Sequence, residues 1–106
     1  MSTQFRVVAS VTFQEDVERL EEHIVERELA SNAPDDTCLF RFRDAVERAI
    51  SILSFAPHTC RRSAQHREFR ELIIPFGHGG CIVLFAIREL DVLLLAARDQ
   101  HEHDYR

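Results

Sequence analysis

From Phe69 to Ala97 the sequence is a train of short apolar runs cut by turn signals, and that pattern leaves few folds open. Leu72, Ile73 and Ile74 centre the first run. Gly77-His78-Gly79-Gly80 offers the positive-φ positions of a hairpin turn, and Cys81 to Ile87 follows as an almost unbroken apolar stretch. Glu89-Leu90-Asp91 then reverses the chain into Val92 to Ala97. Runs this short and this apolar predict antiparallel strands, with Cys81 to Ile87 central in the sheet because both its faces are apolar. Pro75 cannot donate to a ladder, so its strand is expected at an edge or a bulge.

The first half reads differently. Phe5 to Ala9 is a short strand, and Thr12 with Glu15 has the spacing of a capping box at the head of a helix. Phe13, Val17, Leu20 and Ile24 then recur on one face, with Glu15, Glu18, Glu21, Glu22 and Glu26 between them. The acidic face is read as a solvated one. Ala30 to Asp35 breaks this helix, Asp35 or Asp36 is placed to cap a second, and Leu39, Phe42, Val46, Ala49 and Leu53 give that second helix a narrow apolar seam. Phe55-Ala56-Pro57 ends it. A link this short predicts an antiparallel helical hairpin. The expected order is β-α-α-β-β-β: an α+β fold with a helical hairpin packed on a mainly antiparallel four-stranded sheet, one domain over residues 1–106.

Composition narrows the function. The chain has 106 residues and a net charge of −5, and every Arg/Lys cation is Arg. Residues 1–53 hold six Arg against eleven acids and residues 54–106 hold seven of each, so an anion-binding surface is expected in the second half. A domain that clings to bulk nucleic-acid phosphate normally carries net positive charge, so no direct sequence-specific nucleic-acid binding is expected. Cys38, Cys60 and Cys81 form no paired spacing, which predicts free thiols in a reducing cytoplasm. Cys81 is read as core and Cys60 as a loop thiol. The apolar run at Cys81 to Ile87 is far too short to cross a bilayer, and Met1-Ser2-Thr3-Gln4 does not start a signal peptide.

After Ala97 the strand pattern switches abruptly to Arg98-Asp99-Gln100-His101-Glu102-His103-Asp104-Tyr105-Arg106. Arg supplies a fixed planar cation, His exchanges a proton near neutrality, and Tyr offers a hydroxyl on a stackable ring, so the segment suits anion recognition or proton transfer. The core is not expected to need it. His101 and His103 could ligate a metal from one strand face, but no third ligand has the spacing, so no metal or cofactor is expected. His78 is read as a turn residue rather than part of a phosphate loop.

The order of elements, Phe5-Arg6-Val7-Val8, Phe55-Ala56-Pro57 followed by Arg61-Arg62, Arg70 to Gly77, Ile82-Val83-Leu84-Phe85 and the ending Ala97 to Tyr105 together resemble the RelE/ParE superfamily of toxins from type II toxin–antitoxin modules. The ending is most similar to the ParE-type, plasmid-stabilisation branch, with Asp99 where that branch usually has His and His101 where it has Arg. The resemblance implies a toxin that inhibits DNA gyrase and is held in a hetero-oligomer by a cognate antitoxin. Target binding is then expected from Arg62, Arg70, Arg98, His101, His103 and Tyr105. The alternative it implies is a ribosome-dependent mRNA endoribonuclease using Arg70, Arg98, His101 and Tyr105, and a third is a degenerate, non-toxic antitoxin-binding member. The net negative charge favours the gyrase reading over docking into ribosomal RNA.

Overall fold

A computed structural model describes residues 4–77 and 79–105. The turn role expected of His78, the reading of Met1-Ser2-Thr3 and the last residue of the polar ending, Arg106, lie outside the described residues. In chain order the elements are β1 (Arg6–Ala9), α1 (Val11–Leu29), α2 (Cys38–Leu53), a one-turn 3₁₀ helix (Pro57–Thr59), β2 (Arg61–Arg62), β3 (Arg70–Phe76), β4 (Gly79–Arg88) and β5 (Asp91–Asp99). The α+β order expected from the sequence is present. The sheet, however, has five strands among the described residues, in the order β1-β5-β4-β3-β2, where four were expected. The extra one is the two-residue β2, too short and too polar to carry a periodicity signal; it pairs Arg61 with Glu71 and Arg62 with Arg70.

β1 lies parallel to β5, and the other pairings are antiparallel. Every residue from Cys81 to Ala86 is buried, as a central strand requires. Because β2 reaches only Arg70 and Glu71, β3 has no outer neighbour strand at Pro75 among the described residues, which is how its missing N–H is tolerated. Gly80 sits where a Cβ would come within 2.3 Å of the Ile74 carbonyl oxygen, so this hairpin admits only glycine there.

Both helices cover one face of the sheet. Phe13, Leu20 and Ile24 of α1 and Phe42, Val46 and Leu53 of α2 share a core with Leu72, Ile74, Cys81, Val83, Phe85, Val92, Leu94 and Ala97. Each buried Val, Leu, Ile or Phe among them contributes about 1.5–3 kcal/mol of burial free energy, and the Phe42–Phe76 rings meet edge to face at 5.4 Å. Two caps differ from expectation. Ser10, not Thr12, caps α1: it is extended and its hydroxyl accepts from the Phe13 N–H, while Thr12 is already helical. Thr37 occupies the cap position of α2, and Asp35 instead accepts from the Thr37 N–H and hydroxyl, contacts that hold its carboxyl below the usual range.

Past the end of β1, side chains of α1 stand in for a strand beside β5. The buried Asp16 carboxylate accepts the Ala97 N–H at 2.9 Å, and Arg19 reaches the Ala97 carbonyl at 3.5 Å. A backbone donor and acceptor that would otherwise be orphaned are thus satisfied, and the end of β5 is fixed against the helix.

Candidate functional site

Strand alternation sends neighbouring residues at the end of β5 to opposite faces. Arg98 is paired across the ladder with Ile82, and Asp99 with Cys81, which belongs to the helix-side core. Arg98 therefore lies on the far face, away from the helices, and Asp99 on the helix face. The polar ending expected to act as one unit is divided from its first two residues onward.

On the far face the centre is Glu71, a carboxylate only 6% exposed. Its Oε1 accepts from Arg61 Nε at 3.1 Å and pairs with a second guanidinium nitrogen at 3.0 Å; its Oε2 accepts the Tyr105 hydroxyl proton at 2.8 Å. Burial and the carboxylate beside it push the Tyr105 phenol well above its ordinary value, only partly offset by Arg98, so the hydroxyl stays protonated and donating. The Arg98 guanidinium lies 5.2 Å from the Tyr105 ring centre and donates to the Glu102 and Asp99 carbonyls. Glu102 in turn pairs with Arg19 at 3.0 Å. These contacts tie the ending to α1 through Glu102 and to the far face through Tyr105, although the core was not expected to need it. Nothing in the composition of that segment marks these contacts, because the partners Glu71 and Arg19 are distant in sequence.

Beside this network lies a pocket of about 340 Å³ lined by Arg61, Arg62, Ser63, Gln65, Arg98 and His103 among others. With Glu71 already engaged by Arg61 and Tyr105, the lining carries an excess of positive charge. The Arg98 Nε is buried without a hydrogen-bond partner. The pocket can hold an anion or an acidic side chain.

Of the six residues expected to bind a target, Arg62, Arg98 and His103 line this pocket and Tyr105 closes on Arg98 beside it. The other two are elsewhere. Arg70 donates to the carbonyls of Cys60 at 2.6 Å and His58 at 3.3 Å, fastening the loop before β2, and it borders a separate depression with Arg62 and Glu89. His101 lies on the helix face, against Gly79. The His101–His103 pair is thus split between two surfaces, and among the described residues no three His, Cys, Asp or Glu side chains gather to hold a metal. Arg19, Asp16 and Glu71 were missed, and Arg61 and Glu102 were named only among the arginines of the second half and in the polar ending; a lone acid in an apolar strand, as Glu71 is, was the one available signal.

The three thiols are free. Burial and the nearby Asp99 push Cys81 up to about 12, and burial raises Cys60, so neither is a thiolate at neutral pH. Among the described residues no helix is long and apolar enough to cross a membrane. Compared with protein-family models and with curated proteins, the chain matches none.

Proposed function

We propose that this chain is the toxin component of a type II toxin–antitoxin module of the RelE/ParE-like, ParE-type class, acting on DNA gyrase by binding rather than by catalysis. The observation that carries the choice is the state of Tyr105: its hydroxyl is committed as a donor to Glu71 and its phenol is held protonated. A ribonuclease needs a group free to take the ribose 2′-hydroxyl proton and cations converging on one phosphate. Of the four groups expected to carry that chemistry, Arg70 is spent on backbone carbonyls, His101 faces the other side of the sheet and Tyr105 is engaged by Glu71, so they do not meet around one phosphate. The Arg62–Arg98–His103 pocket then serves to grip an acidic surface of the target. The antitoxin is proposed to cover the far face, where Val8 and Ile73 are exposed.

Inducing the chain without an antitoxin tests this. Arrested replication, a DNA-damage response and filamentous cells with intact messenger RNA are expected. Codon-positioned messenger RNA cleavage with continuing DNA synthesis favours the ribonuclease, for which His103 among three arginines is the specific supporting feature. No growth defect, with antitoxin still bound, favours the non-toxic member.

A further inference from the structure

A second cleft lies on the opposite side of the sheet, between the helical hairpin, the β3–β4 turn and the end of β5, with a volume of about 340 Å³. Its floor is apolar: Leu20, Ile24, Phe42 and Cys81 line it and each is buried. Its rim is basic. His23 and Arg27 of α1, Arg41 of α2 and His101 all border it and all are exposed. Among the described residues Asp99 is the single acid in the lining, and its Oδ1 already accepts the His101 backbone N–H at 2.8 Å.

The basic groups are not equally engaged. Arg41 is paired with Asp35, which lies outside the cleft. Among the described residues, Arg27, the His23 ring and the His101 ring make no ion pair or side-chain hydrogen bond, whereas most other arginines of this chain are tied to an acid or a carbonyl. Glycine at position 79 makes room for this arrangement, because a Cβ there would come within 3.2 Å of His101 Nε2 and the imidazole would have to give way. An apolar floor with a few polar groups on its rim is the general form of a small-ligand site, and about 340 Å³ falls at the small end of that class.

We propose that this cleft binds a small amphipathic monoanion, a medium-chain carboxylate or a molecule of that chemical class. The apolar body lies on Leu20, Ile24 and Phe42, and the anionic head is held by Arg27 with His23 and His101. The cationic head of an otherwise identical molecule meets only Asp99, flanked by three basic groups, and is rejected. This site is independent of the toxin reading. It shares no lining residue with the arginine pocket on the far face.

The test is calorimetric titration of the intact chain with octanoate, octylammonium and inorganic phosphate as probes. Octanoate is expected to bind saturably, and the other two at least about tenfold more weakly, since one lacks the right charge and the other the apolar body. Arg27→Glu is expected to weaken octanoate about tenfold or more at unchanged melting temperature, whereas Arg48→Glu, the same charge change on an exposed turn of α2, leaves it within about twofold. Should Arg27→Glu disturb folding, Arg27→Gln and the His101→Gln variant carry the comparison. Equal binding of octanoate and octylammonium overturns the proposal, as does absence of saturable octanoate binding to the folded chain, or equal losses in Arg27→Glu and Arg48→Glu.

Discussion

The two polar clusters that flank the end of β5 are built in opposite ways. On the far face Arg61, Glu71, Tyr105 and Arg98 are interlocked around a buried carboxylate, and each side chain has a partner. On the helix face His23, Arg27 and His101 are exposed, and none touches another through a side-chain hydrogen bond among the described residues. Burial decides what such a cluster is worth: a desolvated charge must be answered and so stabilises the fold when it is, whereas an exposed cation costs nothing when left alone and stays available to a ligand. One cluster therefore acts chiefly as a latch and the other chiefly as a rim, although a single strand end feeds both.

The hardest test of this contrast removes the latch. Truncation after Gln100 deletes the Tyr105 hydrogen bond to a buried carboxylate, the Arg98–Tyr105 contact and the Arg19–Glu102 pair. The combined loss is about 3–5 kcal/mol. Thermal melting should fall by well over about 10 °C. An unchanged melting curve would mean that the segment is a solvated end after all. Loss of growth arrest in this variant says nothing about target contact unless the fold survives.

Alkaline pH should loosen the same region. The Cys81 thiol is raised from 9.0 to about 12 by burial and by Asp99, and Tyr105 is raised from 10.0 in the same direction. A raised folded value means that the native chain holds a proton the unfolded chain has already released. The stability each group contributes is complete below its unfolded value and is lost as pH climbs toward its folded one. For Cys81 that window opens near 9 and runs to about 12, with a slope of up to about 1.4 kcal/mol per pH unit. Cys81→Ala should flatten the larger share of the melting-versus-pH curve that begins near 9, the raised Cys60 thiol supplying the rest; an identical curve would show that this thiol does not titrate with unfolding.

A double-mutant cycle sharpens the comparison within the latch. Tyr105→Phe removes the hydroxyl alone, and Glu71→Gln keeps the shape of its partner while neutralising it. Their coupling should be about 1–2 kcal/mol, as for a hydrogen bond to a buried charge. Coupling near zero would mean that Tyr105 packs without the bond. The Tyr105→Phe variant should also retain growth arrest if the target is gripped by Arg62, Arg98 and His103.

The central strand and the helical hairpin could be read from the sequence because burial writes itself into both, as an unbroken apolar run from Cys81 to Ile87 where both faces are covered and as a seam from Leu39 to Leu53 where one face is. β2 could not, because two arginines carry no period and pair only where Glu71 and Arg70 happen to pass. The site was legible in its ingredients and not in its arrangement. Arg62, Arg98 and His103 were named together and meet, whereas Arg70 and His101 were named with them and do not. Residue type reports what a side chain can do. The bulge between Leu84 and Phe85 and the alternation of β5 decide which side of the sheet it does it on, and neither is written in local composition.

The smallest expected effect is the most discriminating between the two clusters. Arg27→Gln removes a cation that is exposed, sits in the last turn of α1 and has no ion-pair partner among the described residues. Its only stabilising role is with the helix dipole, so the change in stability should stay within about 0.5 kcal/mol. Glu71→Gln, which also removes one charge, should cost several times more because it leaves Arg61 and the Tyr105 hydroxyl facing a weaker acceptor in a buried place. Chemical denaturation of the two variants beside the parent measures both at once. If Arg27→Gln costs as much as Glu71→Gln, the cation is bracing the hairpin through a contact that its exposed position does not reveal, and the helix-face cleft is a second latch rather than a rim open to a ligand.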